Sequence, residues 1–395
     1  MLHVQLKTIF STMPAFKSRI ESALSARKAQ GLNRSMNVVF AGNQSILEHD
    51  GRRYINFSSN DYLGLANDQA LVRAWQQGLS VYGSGSGASP MVTGFSAAHC
   101  NLEAALIEWL GFERAVLFGS GFSANQALLF TLLEKSDVLI QDRLNHASLM
   151  EAGALSTAKM KRFKHNDIKH LETLFTNEGN HLVVTEGVFS MDGDCAPLKD
   201  IAEVARLRSA WLAVDDAHGI GVLGESGGGS CELANVKPEI LVVTFGKAFG
   251  ISGAAILCDH ATGDFLTQFA RHHVYSTAIP PAQAYALTHA VSMVQEQSWR
   301  REKLAELNEV YQTNLSGLDG FVETDTPIKP FVIGESELAL QVANACRQNG
   351  IWVTAIRPPT VPKGTSRLRI TLTANHSTEQ VKTLSIALKQ ALGAL

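Results

Sequence analysis

The chain alternates apolar runs typical of strands with runs typical of helices from about residue 61 to about residue 277, and this alternation limits its fold more than any other feature. From Leu102 to Leu110, for example, apolar residues recur at helical spacing, and the pattern stops at Gly111. Such alternation predicts an α/β fold with a large, mostly parallel sheet and helices on both faces. The strand-like runs lie near 115–118, 138–141, 182–186, 211–215, 240–245 and 253–258.

A chain of 395 residues is long enough for two or three domains. We expect an N-terminal arm over residues 1–60, a large domain over 61–280, and a smaller C-terminal α/β domain with its linking helices over 281–395. Residues 1–12 are interpreted as an upstream extension, with Met13 as the native start.

The arm and the C-terminal domain have their own predicted elements. In the arm we expect a helix from Phe16 to Gly31 and short strands near 38–40 and 54–57. In the C-terminal domain we expect two helices at 282–297 and 300–318, then a strand at 330–334, a helix at 336–349, strands at 351–355 and 368–373, and a final helix at 377–392.

Composition excludes several classes of function. The net charge of −3 and the pI of about 6.5 favour neither a nucleic-acid partner nor a membrane surface. No run approaches the ~20 apolar residues that span a bilayer. The five cysteines are odd in number and widely spaced, so they predict neither a disulfide framework nor a metal site. We expect a cytoplasmic protein without a metal.

Lys247 follows an apolar, β-branched run and stands between Gly246 and Gly250. Glycines let another molecule approach the backbone closely, and burial disfavours the charged form of a lysine, which then becomes a nucleophile towards an aldehyde. A solvated surface lysine is the plainer interpretation of this residue taken alone.

Asp215 and His218 lie three residues apart, where the apolar run 211–214 ends. Ligands of open α/β sheets bind at such strand ends. An acid followed by a histidine suits a cofactor whose ring nitrogen is kept protonated and whose hydroxyl is hydrogen-bonded. The alternative is that Asp215, or its neighbour Asp216, caps a following helix.

The run Gly119-Ser120-Gly121-Phe122 joins a predicted strand to a predicted helix. Backbone N–H groups at a helix N-terminus make a phosphate site. With Ala124 the run also matches the dinucleotide fingerprint, which makes a nicotinamide oxidoreductase an alternative. That alternative leaves Lys247 and the Asp-x-x-His pair unexplained.

Together these motifs resemble the α-oxoamine synthase family of fold-type I pyridoxal-phosphate enzymes. The resemblance runs from about residue 20 to the C-terminus and rests on five segments in the same order, at 119–122, 145–148, 185–194, 214–219 and 244–250. It implies a fold-type I transferase fold, pyridoxal 5'-phosphate as cofactor, an acyltransferase activity that condenses an amino acid with an acyl thioester, and a homodimer. A non-catalytic relative with the same fold is a further alternative.

The resemblance also implies roles for single residues. Lys247 would bind the aldehyde and take the substrate's α-proton, Asp215 would hold the ring nitrogen, and His146 would stack on the ring and contact the substrate carboxylate. His218 and Ser190 would bind the phenolic oxygen. The implied phosphate ligands are Gly121, Phe122 and Thr244, with Ser276 and Thr277 acting across a dimer interface; the implied substrate contacts are Arg34, Arg357 and Thr360.

The segment from Arg357 to Pro362 resembles one member of the family more particularly, and this resemblance implies one pair of substrates. Its prolines fix the backbone beside an arginine suited to a carboxylate. We expect L-alanine and a pimeloyl thioester, carried by coenzyme A or by an acyl carrier protein. The alternative is a sister activity that joins glycine to an acetyl thioester.

Overall fold

The computed structural model describes residues 16–40, 42 and 44–393. The interpretation of residues 1–12 as an extension, and of Met13 as the start, concerns residues outside this range. Within it, no helix is long and apolar enough to cross a membrane.

A seven-stranded sheet forms the centre of the molecule, in the order β3-β9-β8-β7-β6-β4-β5. All neighbouring pairs are parallel except those of β9, which runs antiparallel to both β3 and β8. The predicted fold class is therefore confirmed. The strands are β3 (Arg114–Phe118), β4 (Val138–Asp142), β5 (Lys159–Phe163), β6 (His181–Glu186), β7 (Trp211–Asp215), β8 (Ile240–Thr244) and β9 (Ala254–Cys258).

Burial on both faces explains why the central strands are continuously apolar. In β8, Leu241 and Val243 join one hydrophobic core, whereas Ile240 and Val242 join the core on the opposite face. Successive side chains of a strand point to opposite faces, so neither face tolerates polar residues when both are covered.

Helices cover the two faces, as the alternation predicts. The first of them in the chain are α2 (Gln69–Tyr82), α3 (Ala97–Leu110), α4 (Gly121–Leu132), α5 (Ala147–Leu155), α6 (Ile168–Glu172) and α7 (Leu198–Leu207), with one π-helical turn at Pro90–Gly94. They are followed by α8 (Ser230–Ala234), α9 (His260–Phe269), α10 (Arg271–Val274), α11 (Pro281–Glu296) and α12 (Trp299–Leu315).

The edge strand β5 was not predicted from the sequence. Its residues Lys159, Lys161 and Arg162 break the apolar pattern, because only one long side of an edge strand is paired. Cationic side chains on such a strand discourage pairing with another chain.

The arm contains α1 (Lys17–Ala29) and a hairpin of β1 (Ile46–His49) and β2 (Arg52–Asn56). The prediction of a strand near 38–40 is wrong. Val38 and Phe40 are 67% and 71% exposed. Phe40 donates one backbone hydrogen bond to the Glu48 carbonyl of β1 over 3.1 Å, but residues 38–40 form no ladder with a described strand. β-Branched residues favour an extended chain, but a strand also needs a regular series of such bonds.

The C-terminal part contains β10 (Ile328–Gly334), α13 (Ser336–Gln348), β13 (Ser366–Thr371) and α14 (Thr378–Gly393). The single strand predicted at 351–355 is two strands. β11 (Ile351–Trp352) pairs with β2 of the arm, and β12 (Thr354–Ile356) pairs with β13 in a sheet ordered β10-β13-β12. Val353, between them, is where the chain changes sheet.

Candidate active site

A cavity of about 290 Å³ opens at the carboxyl ends of the central parallel strands. Asp215 ends β7 and Thr244 ends β8, and both line this cavity. Five more of the residues predicted from the sequence meet them there: Gly121, Phe122, His146, His218 and Lys247. The remaining lining residues are Asn60, Gly119, Ser120, Asn125, Glu186, Ala217, Gly246, Ser252 and Gly253.

Lys247 lies in a tight loop after β8. Gly250 closes the loop by donating its N–H to the Lys247 carbonyl over 2.9 Å, with φ at +68°. A Cβ on Gly250 would lie 2.3 Å from the backbone nitrogen of Ala66, so only glycine fits. Burial lowers the pKa of Lys247 to about 8, while the negative charges of Asp215 and Glu186 act in the opposite direction. Roughly a tenth of the amine is thus unprotonated at pH 7, far more than for an ordinary lysine, and this fraction is available for nucleophilic attack.

The two adjacent aspartates point to different places. Asp215 Oδ2 accepts a hydrogen bond from Asn125 Nδ2 over 2.7 Å, and its Oδ1 accepts from the Ala217 N–H over 3.1 Å. Asp216 does not line the cavity; its carboxylate accepts from the N–H and the hydroxyl of Ser230 over 2.8 and 2.6 Å. Asp215 is therefore placed to meet a ligand, whereas Asp216 anchors the start of α8.

His218 is held from the side away from the cavity. Its Nδ1 lies 2.6 Å from the hydroxyl of Tyr62, a residue of the loop after the arm. Burial lowers the pKa of His218 well below its usual value, and burial also raises the pKa of Tyr62. Both groups are thus neutral. Because the Tyr62 oxygen already accepts from Arg369 Nη2, we assign its own hydrogen to Nδ1, which places the ring proton on Nε2. His218 can donate this proton to a ligand oxygen.

His146 caps the N-terminus of α5 and stands beside Phe122, with ring centroids 6.3 Å apart at 82°. Its Nδ1 lies 2.8 Å from the Ser148 hydroxyl and accepts the Ser148 N–H over 3.3 Å. Partial burial lowers the pKa of the imidazole. A neutral ring is therefore available at the cavity.

The loop before α4 makes the anion-binding end of the cavity. Ser120 caps the helix by accepting the Ser123 N–H over 3.1 Å, so the N–H groups of Gly121 and Phe122 have no acceptor within the helix. A Cβ on Gly121 would lie 2.4 Å from Thr244 Cγ2. The buried hydroxyl of Thr244 has no hydrogen-bond partner among the described residues. These donors suit a phosphate.

Glu186, Asn125 and Tyr62 belong to this site, although sequence reasoning assigned them no role. Glu186 ends β6 and is 3% exposed, and its Oε1 has no partner within the described chain. Burial and the nearby charge of Asp215 raise its pKa well above the usual value. The available signal was its position after an apolar run, which is the signal that identified Asp215.

Three of the predicted substrate residues lie in a separate groove of about 560 Å³. Arg34 Nη2 reaches Thr360 Oγ1 over 3.5 Å, and Arg357 Nη1 donates to the Gly31 carbonyl. The arm is thus tied to the segment after β12, and the cavity lining contains none of the three side chains.

Ser190 lies outside the cavity lining, in an open cleft of about 610 Å³ next to Thr360. We call this the basic cleft, because Arg143, Arg162, Lys164 and Arg367 line it. Arg367 is paired with Asp192, the one acidic residue of the lining. The other three cations are exposed and form no ion pair within the part of the chain that the structure describes.

Ser276 and Thr277 are exposed and do not line the cavity. They follow Tyr275, which is 78% exposed, and the π-helical turn that contacts α10 carries Val92, which is 73% exposed. The single chain therefore leaves these two hydroxyls in solvent beside apolar side chains.

Comparisons with known proteins agree with this geometry. The model of the family "Aminotransferase class I and II" matches residues 52–388. The chain is 97% identical to the 8-amino-7-oxononanoate synthase of Vibrio parahaemolyticus over 383 residues, which are 97% of this chain and 100% of that relative. It is 88% identical to the enzyme of the same name from Vibrio campbellii, with the same coverage. Among solved structures, a variant of the serine palmitoyltransferase from S. paucimobilis with a bound PLP-myriocin aldimine aligns with a TM-score of 0.91 at 27% identity, over 96% of this chain and 98% of that one.

Proposed function

From the premise that this chain belongs to the aminotransferase class I and II family, among its 8-amino-7-oxononanoate synthases, we infer that it condenses L-alanine with a pimeloyl thioester. The products are 8-amino-7-oxononanoate, carbon dioxide and the free thiol of the carrier, and the reaction is a step of biotin biosynthesis. The observation that carries this conclusion is the cavity in which Lys247, Asp215, His146 and His218 meet.

The residues of the cavity fit pyridoxal 5'-phosphate. The unpartnered Thr244 hydroxyl and the N–H groups at the start of α4 form a cradle for its phosphate, which a Cβ on Gly121 would fill. Asp215 would hold the proton of the ring nitrogen, and His218 would donate to the phenolic oxygen. When bound, the cofactor supplies an electron sink for the electron pair of the broken Cα–H bond.

Lys247 performs two tasks in this proposal. Its Nζ would hold the aldehyde of the cofactor, and the same Nζ would receive the α-proton of alanine. A pKa of about 8 suits both tasks, because far more of the amine can accept a proton near neutral pH than in an ordinary lysine. His146 would meet the alanine carboxylate in the cavity. The family resemblance also assigns Arg34, Arg357 and Thr360 to the substrate, and these three line the separate groove in the single chain.

We further propose that the carrier of the acyl group lies in the basic cleft. Coenzyme A and the prosthetic group of an acyl carrier protein both place a phosphate on the pantetheine arm, and a phosphate calls for cations. Arg143, Arg162 and Lys164 offer three exposed cations that no described carboxylate neutralises. The cleft also contains Ser190, which the family resemblance places beside the cofactor.

We propose a homodimer with the pair Ser276 and Thr277 completing the phosphate site of the partner subunit. The support is their exposure next to exposed apolar residues in the single chain. We propose residues 1–60, 61–280 and 281–395 as the domains. Arg369 Nε of the last domain donates to the backbone carbonyl of Ser190 in the second over 2.7 Å. The five free thiols suit the reducing cytoplasm, which is the proposed location.

Mass spectrometry of the products tests the function. The purified protein, loaded with pyridoxal 5'-phosphate, is offered a pimeloyl thioester with L-alanine or with glycine, and an acetyl thioester with each. We expect 8-amino-7-oxononanoate from the first pair, and glycine as a poor donor, because one methyl group discriminates by about 1–3 kcal/mol. A higher kcat/KM for glycine with the acetyl thioester would refute the assignment.

A further inference from the structure

A chain of buried hydrogen bonds connects Asp215 to His146 without contact between the two. Asn125, on α4, places Nδ2 at 2.7 Å from Asp215 Oδ2 and at 2.9 Å from Ser148 Oγ. Ser148, on α5, places Oγ at 2.8 Å from His146 Nδ1. Asn125 is 1% exposed and Ser148 is fully buried, so water does not compete for the two bonds of Asn125, whereas the imidazole of His146 at the end of the path is exposed.

The chemistry of each group fixes the direction of every bond. An ionised Asp215 only accepts, so the Asn125 amide must turn its NH₂ towards it, and the second hydrogen of this NH₂ points to Ser148 Oγ. The Ser148 backbone N–H, which can only donate, points to Nδ1 of His146 over 3.3 Å, so this nitrogen is an acceptor. We therefore assign the hydrogen of the Ser148 hydroxyl, 2.8 Å away, to the same Nδ1.

We infer that Asn125 and Ser148 are positioning residues that keep His146 neutral, with its ring proton on Nε2. Two donors meet at Nδ1, so a proton on that nitrogen would face both of them. The tautomer that remains presents an N–H, and not a lone pair, to the cavity. Only the use of this N–H for the substrate carboxylate rests on the proposed function; the protonation state itself does not.

Other charged groups also act on the imidazole of His146. The test has to separate their effects from that of the relay, by which we mean the hydrogen bonds from Asp215 through Asn125 and Ser148 to His146. Asp215 raises the pKa of His146 through its charge, and Lys247 lowers it. The backbone of His146 lowers the pKa of Glu186, and the charge of a protonated His146 lowers the pKa of His218, so these two residues are also coupled to it. The decisive variants therefore leave these four residues unchanged and alter only Ser148 and Asn125.

Nuclear magnetic resonance of the protein labelled with ¹⁵N-histidine, without substrates, measures the tautomer and the pKa of His146 directly. A His146→Asn variant assigns its signals. We expect Nε2 to carry the proton in the wild type. In Ser148→Ala the pKa should rise by roughly one unit, because a hydrogen bond to the neutral form is lost. Ser156→Ala, at the other end of α5, is the matched control and should leave the pKa unchanged, since its hydroxyl binds the Gly153 carbonyl.

A double-mutant cycle tests the relay itself. Asn125→Leu, which keeps the number and branching of the side-chain heavy atoms but removes both donors, should raise the pKa of His146 in the wild-type background and leave it unchanged in the Ser148→Ala background. In the loaded enzyme, the acid limb of the kcat/KM profile should move with the measured pKa, which a merely structural role would not cause.

The relay is refuted by a proton on Nδ1 in the wild type, by an unchanged pKa in Ser148→Ala, or by an equal effect of Asn125→Leu in both backgrounds. If Asn125→Leu fails to fold, as judged by circular dichroism, the tautomer of His146 in the wild type and the pKa of His146 in Ser148→Ala decide whether the relay exists. All of these outcomes are independent of which product the enzyme makes.

Discussion

The hydroxyl of Tyr62 lies 2.6 Å from Nδ1 of His218, although 156 residues separate the two in the chain. Tyr62 is fully buried, and Arg369 Nη2 donates to its oxygen over 3.4 Å. The loop after the arm, the end of β7 and strand β13 thus meet at one side chain. This contact decides which nitrogen of His218 faces the cavity.

Tyr62→Phe should therefore lower the free energy of unfolding by about 1 kcal/mol, because the buried Nδ1 of His218 loses its donor. Affinity for pyridoxal 5'-phosphate should fall as well, since the ring of His218 is no longer held. Tyr311→Phe is the matched control. Tyr311 is equally buried, but its hydroxyl has no partner among the described residues, so its removal should be neutral or stabilising. Chemical denaturation and cofactor titration measure both variants; equal losses would contradict the role given to Tyr62.

Lys247→Ala should still bind pyridoxal 5'-phosphate through its phosphate but without a covalent bond. Turnover should fall by several powers of ten, because both the covalent anchor and the base are lost. Borohydride reduction followed by mass spectrometry reports the bond: the wild type should keep the cofactor on Lys247, and the variant should not. Lys199→Ala, an exposed lysine on α7, serves as the control. Near-normal turnover in Lys247→Ala would show that Lys247 is neither the anchor of the cofactor nor the base.

Asp215→Asn and Asp216→Asn should separate catalysis from stability. Asp215→Asn should keep the fold and lose most activity, because a neutral amide does not hold the ring nitrogen protonated. Burial raises the pKa of Asp216 from 3.8 to about 7, so between these values the folded protein binds a proton that the unfolded chain releases. The free energy of unfolding should fall as pH rises through this window, by at most about 1.4 kcal/mol per pH unit.

Asp216→Asn cannot ionise, and its unfolding free energy should depend less on pH between 4 and 7 than that of the wild type. Denaturation at several pH values measures this difference in slope. Asp215 is assigned wrongly if Asp216→Asn abolishes activity while Asp215→Asn does not.

Assembly should be required for activity, with Ser276 and Thr277 acting in the partner's site. Two inactive variants, Lys247→Ala and the double variant Ser276→Ala with Thr277→Ala, should regain part of the activity when they are mixed and allowed to exchange subunits. Each variant mixed with itself is the control. An active monomer by analytical ultracentrifugation would contradict the shared site.

The basic cleft should respond to the phosphate of the carrier. Arg162→Ala should raise KM for the coenzyme A thioester roughly three- to tenfold and reduce its salt dependence, with little change in kcat. A pimeloyl thioester of a simple thiol, which has no phosphate, should show no such change. Lys169→Ala, an exposed lysine of α6 outside the cleft, is the control. A comparison with pimeloyl acyl carrier protein then identifies the preferred carrier; equal effects on the phosphate-free thioester would refute the proposal.

Local patterns determined much of this protein from the sequence alone. Runs such as 240–244, which are apolar on both sides of the strand, need burial on both faces of a sheet and so predicted the central sheet. Polar residues at the ends of these runs predicted where Lys247, Asp215 and His218 would meet. Parallel strands bring their carboxyl ends to one edge of a sheet, so the order of motifs in the chain was enough.

Only the tertiary structure decided the contacts that join distant parts of the chain. The pairing of Tyr62 with His218, the path from Asp215 through Asn125 and Ser148 to His146, and the burial of Glu186 depend on how helices and loops pack over the sheet. The division of 351–356 between two sheets depends on which neighbours are within reach. Periodicity records which face of an element is buried, but the partner against which it is buried is chosen by packing over the whole fold.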